Sequence, residues 1–185
     1  MERREGLFIL AGGRSSRFGR DKTRFTYRFL YQKFRKWHPI FVTKTPKFPG
    51  YPHILEWEKK RYAPIFPLLQ LLKLYPSVVV IPADVPLLSP RTLRRLLYWK
   101  RVSPLSPLVG VYLRRRDWAK LRRRAKGDLR LKGVAPVTPN LQPSPLQFLN
   151  INRPEDWERF INSPIYPRFL KIYLPTSRFT SGKVT

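Results

Sequence analysis

The chain has 185 residues, 42% of them apolar and none of them cysteine, and its 38 lysines and arginines against 11 aspartates and glutamates give a formal net charge of +27. That length and apolar content suit one folded domain with its own core and leave no room for a second, while the lack of cysteine excludes disulfides and thiolate metal sites. No apolar run approaches the ~20 residues that span a bilayer, and the charged start with its brief apolar stretch lacks the form of a signal peptide, so a soluble, cytoplasmic protein is expected.

In chain order, residues 1 to 6 are polar and expected to fray. Leu7 to Leu10 reads as a short buried strand that runs into Ala11-Gly12-Gly13, a glycine turn. Arg24 to Trp37 places Phe25, Phe29, Leu30, Phe34 and Trp37 mainly on one face, which predicts a helix that His38-Pro39 ends. Ile40 to Thr43 predicts a second strand. A proline-rich loop runs to about Pro52, and His53 to Glu56 predicts a third strand with an acid at its end. Residues 57 to 62 read as a charged loop. Pro64 to Leu74 reads as a helix with the apolar face Ile65, Leu68, Leu69 and Leu72, and Pro67 is tolerated in its first turn. Ser77 to Ile81, rich in valine, has the form of a parallel strand buried on both faces, and it ends towards Asp84.

Ser89-Pro90 is an N-cap followed by proline at the first helical position, and it introduces a helix from Arg91 to Lys100. Leu108 to Leu113 reads as a strand, and Trp118 to Lys126 as a basic helix that Gly127 closes. A proline-rich connection from Val134 to Pro145 leads to a last predicted strand, Phe148 to Ile151, and a closing helix, Pro154 to Ile161, with acids in its first turn. Residues 1 to 162 are expected to form the single domain, and 163 to 185 an irregular tail. Strands alternating with helices predict a three-layer, Rossmann-like α/β fold with a mostly parallel sheet. Ligands of such sheets bind beyond the carboxyl ends of the strands. The glycine turn, Thr43, Glu56, Asp84, Asn150 and Asn152 all fall at or just after predicted strand ends, so one cleft is expected to collect them.

The stretch Leu7 to Lys22 carries the most chemistry. Gly12 and Gly13 let the backbone approach a ligand, consecutive N–H groups in such a turn can cradle an anion, and Arg14, Arg17, Arg20 and Lys22 add positive charge. A triphosphate suits such a loop, although the spacing is neither Walker A nor G-x-G-x-x-G. The whole string, L-A-G-G-x-S-x-R-x-G-x-D-K from Leu10 to Lys22, resembles the signature loop of nucleotidyltransferases with a Rossmann-like fold, and most of all that of the molybdenum cofactor guanylyltransferases. Two further segments agree in the same order: Ile81-Pro82-Ala83-Asp84-Val85-Pro86, and Phe148 to Asp156. The resemblance covers roughly residues 6 to 162.

This resemblance implies magnesium-dependent transfer of GMP from GTP to molybdopterin-bound molybdenum cofactor, with release of pyrophosphate. It places Leu10, Ala11, Gly12, Gly13, Lys22, Thr43, Glu56 and Asp84 around the nucleotide. Lys22, Asp84 and Arg17 take the catalytic roles, and Asp84 is the ligand for Mg²⁺, which prefers one or two carboxylates together with substrate phosphates. Arg130, Asn150 and Asn152 fall to the acceptor; alternation along a strand would turn only one asparagine into a given cleft. The implied partners are GTP, the molybdopterin cofactor, and molybdenum-insertion proteins or molybdoenzymes. The chain also departs from the family: Glu56 stands where aspartate is usual, with Glu58 as a nearby rival. Thr43 stands where asparagine is common, and Ala63-Pro64-Ile65 where the family has Gly-Pro-Leu.

The positive charge suits polyanions in general. It is spread along the chain, with runs at Arg114-Arg115-Arg116 and Arg122-Arg123-Arg124, and it forms no detachable tail. That distribution argues against a dedicated nucleic-acid arm, and neither nucleic acid nor membrane is expected as a partner. Two other functions remain open at this level. One is transfer of another nucleotide, or transfer to another phosphorylated acceptor. The other is a basic nucleic-acid-binding α/β protein, which salt-dependent binding without magnesium-dependent turnover would distinguish.

Overall fold

The computed structural model describes residues 6–13, 23–139, 141–142, 144–151, 153–162 and 166–167. Five strands form one sheet: β1 (Leu7–Leu10), β2 (Ile40–Thr43), β3 (His53–Leu55), β4 (Ser77–Pro82) and β5 (Gly110–Leu113). Their order is β3-β2-β1-β4-β5, with β5 antiparallel to β4 and every other pairing parallel. The α-helices are α1 (Thr23–Phe34), α2 (Ile65–Leu74), α3 (Pro90–Trp99), α4 (Arg114–Arg124) and α5 (Pro154–Ile161). This is the expected three-layer α/β architecture.

The strands read as continuous apolar runs because both faces of the sheet are covered. Leu7, Ile9, Phe41, Val79, Ile81 and Val111 face a core with Phe29 and Leu30 of α1, Leu93 and Leu96 of α3, and Phe160 of α5. Phe8, Val42, Val78, Val80 and Tyr112 face the opposite core, with Leu68 and Leu71 of α2 and Leu121 of α4. The chain leaves β1 in one direction and returns past it from β3 to β4, so α1 and α2 lie on opposite faces, as right-handed crossovers require. The strand order turns back at β1 and β4. The crevice beyond their carboxyl ends is where a sheet of this kind takes its ligand.

Several expected elements change in the folded chain. The helix read as Arg24 to Trp37 is α1 followed by a 3-10 turn over Arg35–Trp37. The helix expected from Trp118 begins instead at Arg114. The Asp117 carboxylate, one turn into the helix, accepts from the Leu113 N–H at the end of β5 at 2.8 Å. The Arg114 guanidinium donates to the Leu72 and Lys73 carbonyls, which the end of α2 leaves without helical partners. Gly127 does not close α4, which ends at Arg124. Strand β5 begins at Gly110 rather than Leu108. There the residues beyond α3 come so close that a Cβ on Gly110 would lie 2.4 Å from the Val102 Cα.

The expected last strand, Phe148 to Ile151, does not form. Pro145–Phe148 is a 3-10 turn, anchored when the Gln147 side-chain amide oxygen accepts from the Ser89 N–H and the Thr92 hydroxyl at the start of α3. The apolar pattern was real, but side-chain anchoring took the place of ladder pairing. Asn150 therefore does not stand on a strand, and Asn152 lies outside the described residues. Of the tail, Tyr166 packs its ring on Phe160 at 5.3 Å; residues 163–165 and 168–185 lie outside the described residues. No helix among the described residues is long and apolar enough to cross a membrane.

Candidate active site

Four loops meet at the carboxyl edge of the sheet, and backbone hydrogen bonds tie them together. The Ala11 N–H donates to the Val42 carbonyl at 2.8 Å, the Glu56 N–H to the Thr43 carbonyl at 2.8 Å, and the Ala83 N–H to the Leu10 carbonyl at 3.0 Å. The ends of β1, β2, β3 and β4 therefore form one rim. Leu10, Ala11, Gly12, Gly13, Thr43, Glu56 and Asp84 all stand on it, as the strand-end argument expected. Arg14, Arg17, Arg20, Asp21, Lys22 and Asn152 lie outside the described residues.

Asp84 sits in the turn after β4, and that turn is held from three sides. The Thr26 hydroxyl of α1 donates to the Ala83 carbonyl at 2.7 Å, the Ile151 N–H to the Asp84 carbonyl at 3.0 Å, and the Lys33 ammonium to the Pro86 carbonyl at 2.7 Å. The segment containing Asn150 is thereby docked on the Asp84 turn, with the Asn150 side chain exposed. Arg130 is 85% exposed and is paired with Asp128 at 2.8 Å, and that pairing holds the Asp128 carboxyl below its usual range. Among the described residues, no interaction ties Arg130 to the rim.

Burial of Lys33, which lies over the Phe29 ring at 4.8 Å, lowers its pKa to about 7 from the ordinary 10.5. The unfolded chain then holds a proton that the folded chain has lost throughout the window between those values. Stability should therefore rise with pH across about 7 to 10, by at most ~1.4 kcal/mol per pH unit. Denaturant unfolding of wild type and Lys33→Met at stepped pH checks this: the slope is expected in wild type and absent in the variant. A flat wild-type profile would place the Lys33 charge in water.

Glu56 is the most constrained group of the rim. Its backbone is clamped by Gln70 of α2, whose amide donates to the Leu55 carbonyl at 2.8 Å while its oxygen accepts from the Trp57 N–H at 2.7 Å. The carboxylate lies against Gly12, where an added Cβ would stand 1.7 Å from its Oε1. Its Oε2 is 3.1 Å from the Lys44 ammonium, with both side chains less than a tenth exposed. Burial pushes the Glu56 carboxyl up from its ordinary value, and Lys44, Lys59 and Lys47 pull it back. The rival Glu58 is engaged elsewhere, accepting from the Lys60 and Arg61 N–H groups and pairing with the Arg61 guanidinium at 2.8 Å. Those bonds take its carboxyl down to about 2.

Sequence reasoning missed three lysines of this rim. Lys44 pairs with Glu56, Lys47 donates to the Ala11 carbonyl at 3.2 Å, and Lys59 to the Lys44 carbonyl at 2.6 Å. No signal in the sequence pairs Lys44 with Glu56; the register of β2 on β3 does. Thr43 stands opposite Leu55, so the next residue on each strand is Lys44 and Glu56. The Thr43 hydroxyl is fully buried and has no hydrogen-bond partner among the described residues. No group of three or more metal-ligating side chains occurs among them either. A carboxylate in a turn fits Mg²⁺, which is commonly shared with substrate phosphates and waters rather than caged by protein.

No protein-family model and no curated protein sequence matches the chain. Solved structures do. The Aquifex aeolicus VF5 protein Aq1419 is 26% identical, with a TM-score of 0.66 over 80% of this chain and 92% of its own. Molybdopterin-guanine dinucleotide biosynthesis protein A from Archaeoglobus fulgidus is 20% identical, with a TM-score of 0.67 over 83% of this chain and 95% of its own. Rv0371c from Mycobacterium tuberculosis H37Rv is 18% identical, with a TM-score of 0.54 over 86% of this chain and 98% of its own. The chain thus has the fold of these proteins along most of its length.

Proposed function

We propose that this protein is a nucleotidyltransferase, and specifically that it transfers GMP from GTP to molybdopterin-bound molybdenum cofactor and releases pyrophosphate. The observation that carries the reading is the rim itself: the glycine turn after β1 and Asp84 after β4 flank the point where the strand order turns back. The fold shared with the Archaeoglobus fulgidus protein supports it.

In this reading the N–H groups of Gly12 and Gly13 donate to triphosphate oxygens, with Lys22 and Arg17 adding charge. Glu56 is assigned to the base, with the buried Thr43 at the end of the neighbouring strand, and Asp84 to Mg²⁺. When bound, the ion draws off the negative charge that grows on the phosphates. The acceptor phosphate oxygen forms a bond to the α-phosphorus as the bond to the pyrophosphate oxygen breaks. The chain contributes chiefly by holding the reactants in line and by presenting fixed donors. Asn150, Asn152 and Arg130 are assigned to the acceptor; Arg130 would have to leave Asp128 to serve.

A panel of nucleotides with magnesium, scored by binding and by pyrophosphate release, tests the reading, and a wild type with no preference for GTP removes the guanylyl assignment. A buried charge-assisted hydrogen bond contributes about 1.5–3 kcal/mol. Glu56→Gln is therefore expected to reduce the preference for GTP over ATP by about 10- to 100-fold. Glu58→Gln should leave it alone, because Glu58 is occupied by Arg61. Loss of preference in Glu58→Gln alone would move the role to that residue.

A further inference from the structure

The Lys44 ammonium has three N–H donors, and three protein acceptors surround it: Glu56 Oε2 at 3.1 Å, the Glu58 carbonyl, and the Arg61 carbonyl at 2.9 Å. The Tyr62 ring covers it at 4.6 Å. Lys44 therefore has no donor left for a ligand, although it stands directly behind the carboxylate assigned to the base. We infer that Lys44 is a positioning residue that sets base choice through Glu56, by holding that carboxylate ionised and against Gly12. The inference rests on the reading of Glu56 as the residue that recognises the base.

The geometry leaves Glu56 little other freedom. Gln70 fixes its backbone from α2, and Gly12 closes one side. Among the described residues, the charged groups acting on it are Lys44 and Lys47 from the loop after β2 and Lys59 from the loop after β3. Of these, Lys44 bonds to the carboxylate and lowers its pKa most. A carboxylate can accept from both the N1–H and the N2–H₂ of guanine, whereas a protonated carboxyl offers one acceptor and one donor. Burial favours the protonated form, and the ammonium favours the charged one.

Lys44→Met removes the charge and keeps most of the stem. GTP and ATP binding should be measured from pH 5.5 to 9 for wild type, Lys44→Met and Lys44→Arg. Wild type and Lys44→Arg are expected to hold a steady preference for GTP near neutrality. In Lys44→Met the preference should fall about tenfold or more at pH 7 and return as the pH rises and Glu56 ionises. A merely structural lysine would not produce that return. Carbon-13 NMR titration of the Glu56 carboxyl without nucleotide, assigned with Glu56→Gln, should show its midpoint moving up in Lys44→Met. If the methionine variant does not fold, the wild-type titration still decides: a Glu56 carboxyl that is neutral at pH 7 overturns the inference. A folded Lys44→Met with wild-type preference at every pH overturns it while leaving the reading of Glu56 intact. A wild type with no base preference removes both.

Discussion

Replacing Asp84 by asparagine should leave thermal unfolding of the ligand-free protein close to wild type and lower magnesium-dependent pyrophosphate release by about a hundredfold or more. The fold should survive because the turn is held through its backbone: the Ala83, Asp84 and Pro86 carbonyls accept from Thr26, Ile151 and Lys33. Catalysis should suffer because asparagine is isosteric but uncharged and so binds a hard divalent cation poorly. The removal of a single preorganised group that stabilises developing charge typically costs 10²–10³ in rate. Raising magnesium into the tens of millimolar should recover part of the loss if the defect is metal affinity. Near-normal turnover in Asp84→Asn at ordinary magnesium would place the metal ligand elsewhere.

The second large effect is expected at Gly12. An alanine Cβ there would lie 1.7 Å from Glu56 Oε1 and 2.7 Å from its Cδ, distances that no packing tolerates. The end of the Glu56 side chain must then shift, which strains its pairing with Lys44; loss of a partner from a buried ion pair, about 3–5 kcal/mol, is the upper bound on the cost. For a domain of this size that bound corresponds to a fall in Tm of at most roughly 6–20 °C. GTP binding should be lost as well, since the clash displaces the base-facing group. Gly13 is the control: its added Cβ would meet nothing within 4 Å of protein. Gly13→Ala should fold normally, and any loss of nucleotide binding in it reports how close a ligand comes to the turn. Adding Gly12→Ala to Glu56→Ala should cost little further stability, because the clashing group is already gone. A Gly12→Ala protein as stable as wild type would mean that Glu56 does not rest against Gly12.

Local pattern alone was enough for much of the architecture. Ser77 to Ile81 reads as a strand covered on both faces, and Ser89-Pro90 as the start of a helix, where the Ser89 hydroxyl does accept from the Thr92 N–H at 3.1 Å. These features are short-range: apolar periodicity and capping chemistry act within a few residues of one another. The same reasoning put Gly12, Thr43, Glu56 and Asp84 at strand ends, and parallel strands bring such ends to one rim whatever lies between them.

Tertiary structure decided what depends on partners distant in sequence. Phe148 to Ile151 has the composition of a strand, but Gln147 found its hydrogen bonds at the start of α3. Arg114 to Arg116 joined α4 because Asp117 ties back to the Leu113 N–H and the end of α2 needed donors. Most of all, the sequence showed Lys44 and Glu56 only as two charged residues on separate segments. The register of β2 on β3 sets them side by side, and burial from solvent makes the pairing matter, because a carboxylate removed from water needs a cation within reach.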